Sequence, residues 1–358
     1  MIYLDNAATT PIKAEVLDAM MPYLKEDYGN ASSVYALGRA SRNAIDHARE
    51  QIASVINAKP EEIYFTSGGT ESNNWALCDG SYSSTIEHPS VLSNARAVID
   101  VDVSGRVVME QIEAVRCQTL SIQFANNEIG VIQPIAEIGK ICRKNGVSFH
   151  TDAVQAFGHI PIDVEEMQID MLSASGHKFG APKGVGFLYA RKDLQIESYM
   201  RGGHQERGRR AGTENVAGIV GMGKAAEIAL KTMDARAAKE RAIQALMIKR
   251  LTEEIPNTRI NGTTDEKLRL SNNISFTIDG VDGESLVLML DTMGICISAG
   301  SACTSESIEP SHVLRAIGLT DEQAHSTVRI TPSDQTRVQE AHYTVDAIKK
   351  CVERLRKG

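Results

Sequence analysis

One segment constrains this chain more than any other. An apolar run, Ile169-Asp170-Met171-Leu172, empties into Ser173-Ala174-Ser175-Gly176-His177-Lys178-Phe179-Gly180-Ala181-Pro182-Lys183-Gly184. A short apolar stretch bounded by Ser, Gly and Pro reads as a buried strand ending in a loop. Ser175 and His177 bring side-chain donors into that loop, and its glycines let the backbone approach an anion closely. A free lysine amine, with a pKa near ~10.4, is a poor nucleophile in water. Held against an anion-binding turn, Lys178 can form a Schiff base with an aldehyde cofactor. The competing reading is a solvated surface lysine, and only matching parts elsewhere in the chain decide between the two.

Such parts recur. Ile63-Tyr64-Phe65 leads into Thr66-Ser67-Gly68-Gly69-Thr70-Glu71-Ser72-Asn73 and a helical run through Trp75. The helix start and the Thr70 hydroxyl suit a phosphate, although Gly-Gly-Thr also serves as a plain N-cap. Thr85-Ile86-Glu87-His88 places His88 at a strand end, either as a hydrogen-bonded structural residue or as a lid and proton donor over a flat ring. Leu120–Phe124 delivers Asn126-Asn127-Glu128 to the carboxyl end of a strand, where open α/β sheets bind ligands. Val147–His150 delivers Asp152 and Gln155. A buried carboxylate calls for a cation such as a pyridinium nitrogen, unless Asp152 merely caps a helix. Gln155 is placed to hold a ring hydroxyl.

At 358 residues the chain exceeds one ordinary core, so two domains or one large α/β unit are expected. A net charge of -8 argues against nucleic acid as the main partner, despite the local run Arg207-Gly208-Arg209-Arg210. Neither a secretory leader nor an apolar run of membrane-spanning length is visible, which suits a cytoplasmic protein. Six cysteines without a C-x-x-C pair fit reduced thiols better than disulfides or a zinc site, and no metal is expected. Residues 14–232 are expected to form the larger unit. Residues 1–13 and 233–358 form the smaller one, with Ile2-Tyr3-Leu4 crossing over to join it.

In the smaller unit, Ser298–Pro310 surrounds Cys303 with small hydroxylated residues, so its thiol reads as exposed and mobile, or as an incidental surface cysteine. Arg329, in the alternating strand Thr327–Thr331, suits bidentate capture of a carboxylate or a cross-sheet salt bridge. The polar, Gly-rich segment 201–213 belongs at a site or an interface.

Taken in order, Tyr3–Pro11, Ser67–Ser72, Glu87-His88, Asn126–Gly130, Asp152–Gln155, Ser175–Lys178, Arg209–Thr213 and Gly300–Cys303 resemble cysteine desulfurases of the NifS/IscS type, within the class V aminotransferases. The resemblance spans nearly the whole chain. It implies fold type I of the pyridoxal-phosphate enzymes, with a mostly parallel central sheet in the large domain and a smaller α+β domain. It further implies pyridoxal 5'-phosphate on Lys178, with Asp152 at the ring nitrogen, Gln155 at the ring oxygen and His88 on the ring face. Gly69, Thr70, Ser175 and His177 are implied to hold the phosphate, and Thr213 to reach the cofactor of the second subunit in a homodimer. Asn127 and Arg329 would face the carboxylate of L-cysteine, and Cys303 would take its sulfur as a persulfide, releasing alanine. The segment around Cys303 resembles the long-loop group. The sulfur would pass to an acceptor protein, an iron–sulfur scaffold or a tRNA thiolation enzyme.

Selenocysteine lyases use nearly the same parts, an aminotransferase would need no Cys303, and an inactive docking scaffold is the reading from another class. Two departures from the family pattern stand out. The stretch 97–119 looks short, and Ile330-Thr331-Pro332-Ser333-Asp334 replaces the usual run after the arginine, where Pro332 is expected to end the strand early.

Overall fold

The computed structural model describes residues 1–77, 80–300 and 309–357. Its main sheet has seven strands in the order Ile63–Thr66, Gly186–Ala190, Met171–Ser175, Ser148–Asp152, Thr119–Ser121, Ser81–Ser84 and Ala95–Ile99. From Met171–Ser175 outward to Ala95–Ile99 every pairing is parallel. Gly186–Ala190 runs antiparallel to both its neighbours, so Ile63–Thr66 points the same way as Met171–Ser175. Six strands therefore present their carboxyl ends along one edge, the edge at which such sheets bind ligands. Met171–Ser175 and Gly186–Ala190 are buried at every position, as strands covered on both faces must be.

Helices Ala14–Lys25 and Ala36–Val55 pack against the first half of Val216–Glu254, a 39-residue helix. Glycines allow the close approach. A Cβ at Gly223 would stand 2.8 Å from the Cα of Ala48, and one at Gly221 would stand 2.6 Å from the Met20 sulfur. Along this helix Ile219, Met222 and Ala226 join the core under the main sheet. Ile243, Met247 and Leu251 join a second core with Leu4, Phe276 and Ile348. The helix passes residue 232 without a break.

The second core lies under a four-stranded antiparallel sheet, Ser298–Ala299, Thr327–Ile330, Ile274–Ile278 and Thr258–Ile260. Ile2–Tyr3 pairs in parallel with Ile295–Cys296 beside it, so the first strand does cross to this part of the chain. Ile295-Cys296-Ile297-Ser298 reads as one short strand in the sequence, yet it is divided between the two sheets. Pro11 reads as the first residue of a helix, but the helix begins at Ala14. Its would-be first turn is bonded elsewhere, with Thr10 N donating to the His177 carbonyl and Lys13 N to that of Gly180. Strands Ser81–Ser84 and Ala95–Ile99 and helix Val338–Leu355 add to the expected elements. Cys303 lies outside the described residues. Among the described residues no helix is long and apolar enough to cross a membrane, and Cys117, Cys142, Cys296 and Cys351 are free thiols.

Candidate active site

Over the carboxyl edge of the main sheet lies a cavity of about 330 Å³, within the range of small-molecule sites. Lys178, Asp152, His88, Gln155, Ser175, His177, Gly69, Thr70, Asn127 and Arg329 all line it. Thr213 does not; it lines a separate hollow with Ser67 and Arg210 and is exposed.

Lys178 ends a short 3-10 turn, Gly176–Lys178, that follows directly from the strand Met171–Ser175. Its amine donates to the carbonyls of Ala7 (2.6 Å) and Ala8 (2.9 Å). That turn is itself fastened from several sides. Gln155 Nε2 donates to the Ala7 carbonyl, and Ala7 N donates to the Thr331 hydroxyl at 2.9 Å. Thr10 Oγ1 donates to the His177 carbonyl and accepts from Gly180 N. The altered segment after Arg329 is therefore built into the support of Lys178. The strand stops at Ile330, as Pro332 suggested, and Thr331 continues as a single bridge to Asp5.

The anion cradle starts at Gly68, whose φ of +156° suits glycine. Helix Gly69–Ala76 follows, and the first N–H groups of a helix have no partner inside it. Glu71 folds back to accept from Ser67 N at 2.8 Å and is held by Arg210 through a two-pronged pair at 2.7 and 3.1 Å. Burial works against the Glu71 carboxylate, but Arg210 and Ser67 outweigh it and hold its pKa below the ordinary value. Ser175 closes the cradle; a Cβ on Gly69 would stand 3.7 Å from the Ser175 Cβ. His177 contributes a neutral ring. Burial, then Lys178 and Lys183, push its pKa down to about 4, and its Nδ1 sits 3.1 Å from the Thr9 hydroxyl.

Asp152 is buried at the end of its strand. Its oxygens accept from Asn73 Nδ2 (2.7 Å) and Val154 N (2.9 Å), both neutral amides. A buried carboxylate that accepts from neutral amides still favours a cation nearby. Asn73 Nδ2 also donates to Ser90 Oγ, which lies 2.8 Å from His88 Nδ1. Ser90 N donates to that same nitrogen at 3.1 Å. A backbone N–H can only donate, so the neutral ring carries its proton on Nε2. Burial lowers the His88 pKa; Asp152 opposes this, while Lys178 and His312 add to it.

The residues present fit pyridoxal phosphate. Hydroxyls, an imidazole and a helix start gather at one end, a carboxylate that favours a cation stands in the floor, and a fixed amine lies at the side. Asn73, Ser90 and Gln123 add to the polar lining and were not singled out by sequence. Asn73 carried a signal, since it stands one helical turn after Gly69 and shares its face.

The fold and this cavity together define a pyridoxal-phosphate enzyme of fold type I. The aminotransferase class-V family profile matches residues 2–333. The cysteine desulfurase IscS of Methanosarcina thermophila is 44% identical over 382 aligned positions, covering 99% of this chain and 93% of the relative. The NifS-like protein of Rickettsia africae superposes with a TM-score of 0.91 at 34% identity, over 99% of each chain. A structure of SspA in complex with cysteine superposes with a TM-score of 0.80 at 33% identity, over 92% of this chain and 98% of the other. This chain belongs to the class-V aminotransferase family.

Proposed function

We propose that this chain is a pyridoxal-phosphate-dependent cysteine desulfurase that converts L-cysteine to L-alanine and keeps the sulfur as a persulfide on Cys303. The observation that carries the reading is the meeting of Lys178, Asp152, His88 and the Gly69–Ser175 cradle in one cavity, in a chain 44% identical to a cysteine desulfurase. When bound, the cofactor supplies an electron sink for the pair released at the substrate's α-carbon.

The protein's own groups do the rest. Lys178 Nζ would link the cofactor and would serve as the base for the substrate's α-proton; the Ala7 and Ala8 carbonyls accept from it and fix where it stands. Asp152 would hold a positive charge at the ring nitrogen. His88, neutral with its proton on Nε2, would cover the ring and could donate that proton. Gln155 would hold the ring oxygen, and Gly69, Thr70, Ser175 and His177 would hold the phosphate. Asn127 and Arg329 orient the substrate carboxylate. The Cys303 thiolate attacks the substrate sulfur, the carbon–sulfur bond breaks, and the carbon skeleton takes a proton to leave as alanine.

Thr213, exposed and outside the cavity of its own chain, is read as a donor to the cofactor of a second subunit, which makes the working unit a homodimer. The division of the chain near residue 232 falls inside the long helix, between the last residues of one core and the first of the other. The sulfur passes to an acceptor protein, and the setting is cytoplasmic.

The decisive measurement is mass spectrometry of the peptide bearing Cys303 after incubation with L-cysteine, together with alanine release. One added sulfur per chain is expected in the parent and none in Cys303→Ser, which keeps the bound cofactor. Alanine formation at the parent rate by Cys303→Ser in the presence of a sulfur acceptor would refute the assignment of that thiol.

A further inference from the structure

Glu87 is fully buried, next in the chain to His88, and the chemistry above makes no use of it. Its Oε1 accepts from the Ser84 hydroxyl at 2.5 Å and from Gln123 N at 2.9 Å. Its Oε2 is buried with no hydrogen-bond partner among the described residues. The Glu87 carbonyl accepts from His312 Nε2 at 2.9 Å, and Gln123 Nε2 donates to the adjoining Ile86 carbonyl. One carboxyl and its peptide thus join three separate segments: the end of Ser81–Ser84, the turn after Thr119–Ser121, and the first turn of helix His312–Ala316. Two residues fixed by this joint, His88 and Gln123, line the cavity.

We propose that Glu87 is a positioning residue of this site, a buried carboxylic acid that keeps its proton and holds His88 and Gln123 in place against the ligand. The geometry supports the neutral form. Both hydrogen bonds fall on one oxygen, and a carboxylate would leave charge on the other with nothing to receive it, the costlier of the two orphans. Asp152 is negative and favours the acid further; His312 meets the Glu87 backbone carbonyl, and His88 is the next residue in the chain. Burial pushes the Glu87 pKa up to about 8. Keeping this second carboxyl neutral reserves the negative charge of the floor for Asp152.

The inference rests on reading the cavity as the cofactor and cysteine site, and its test separates the two. Full-length wild type, Glu87→Gln and Glu87→Ala are compared. The wild-type minus Glu87→Gln infrared difference spectrum at pH 7 should contain a protonated carboxylic acid C=O band that shifts in deuterium oxide. This arm is read whether or not the protein turns over cysteine. Loaded with cofactor, Glu87→Gln should keep the visible circular dichroism of the bound ring and a kcat within about threefold of the parent. Glu87→Ala should lose that dichroism and about 10- to 100-fold in kcat, the scale of a misplaced group. Absence of the acid band, a Gln variant as impaired as the Ala variant, or an Ala variant equal to wild type would overturn the proposal. Should Glu87→Ala fail to fold, the infrared band and the Gln variant still decide it. A wild type that shows the band yet releases no alanine from cysteine would count against the functional reading alone.

Discussion

Arg329 Nη2 lies 2.8 Å from Asp5 Oδ1, while Nη1 donates to the Asn127 carbonyl at 2.9 Å and Nε is buried without a partner among the described residues. Of the two readings of this arginine, the structure shows the salt bridge, with Asp5 holding the guanidinium at the cavity wall; capture of the substrate carboxylate is the proposal to be tested. Arg329→Lys removes the planar fork but keeps the charge. The KM for cysteine should rise about 10- to 100-fold, equivalent to about 1.4–3 kcal/mol, with a smaller change in kcat. Steady-state kinetics decide it: an unchanged KM would move the carboxylate site elsewhere.

Lys178 has a different signature. Lys178→Ala leaves Asp152, His88 and the cradle intact, so the cofactor should still bind, but without covalent linkage. Borohydride should fix the cofactor to the wild-type peptide that contains residue 178 and to no peptide of the variant. Turnover should fall by about 1000-fold or more, since both the linkage and the base are lost. A variant that still yields a borohydride-stable cofactor adduct would point to another lysine.

Much of this site was legible because its residues come in short runs at strand ends, where Gly, Ser and a single chemical residue cannot be read as core. The parallel order of the strands then brings those ends together without further information from the sequence. What remained hidden depends on contacts between distant segments. Nothing in Asn6–Pro11 announces that the Ala7 and Ala8 carbonyls hold the Lys178 amine, nor does Thr331 announce that it holds Ala7. Ser81-Tyr82-Ser83-Ser84 carries too little β-propensity to be read as a strand, and is one because both its neighbours in the sheet pair with it. Helix Val338–Leu355 did carry a signal, in the spacing of Ala341, Val345, Ile348 and Val352.

Two buried groups give opposite pH dependences. His150 is fully buried between the Ser121 and Ser173 hydroxyls, and burial pushes its pKa down to about 3. Unfolded, it titrates near ~6.5, so between those values the unfolded chain binds the extra proton. Stability from this group is therefore lost as pH falls from about 6.5, by up to about 1.4 kcal/mol per pH unit. Glu87 has the reverse sign. With its pKa at about 8 against ~4.3 unfolded, the folded chain binds the extra proton, and stability declines as pH rises toward 8. Thermal midpoints across pH 4–8 should show His150→Gln losing less than wild type on the acid side, and Glu87→Gln losing less on the alkaline side. Parallel curves for either variant would mean that its group does not titrate as its burial requires.

The Glu71–Arg210 pair gives a prediction about cofactor retention. Arg210 stands at 19% and Glu71 at 10% side-chain exposure, so the pair is screened far less than a surface one. Glu71 spends its remaining hydrogen-bonding capacity on Ser67 N, the residue before the two glycines of the cradle. Arg210→Ala leaves the carboxylate partly buried and opposed to the phosphate that the cradle is read to hold. Its repulsion and the loosened turn act in the same direction. The dissociation constant for the cofactor should rise about 10- to 100-fold, or about 1.4–3 kcal/mol. Arg210→Lys should recover only part of this, because one ammonium cannot replace two parallel N–H donors. Glu71→Gln, which removes the charge while keeping the Ser67 bond, should relieve the defect of Arg210→Ala in the double variant. Cofactor release followed by absorbance during dialysis checks all three. Equal retention by Arg210→Ala and the parent would show that the cradle holds its shape without this pair.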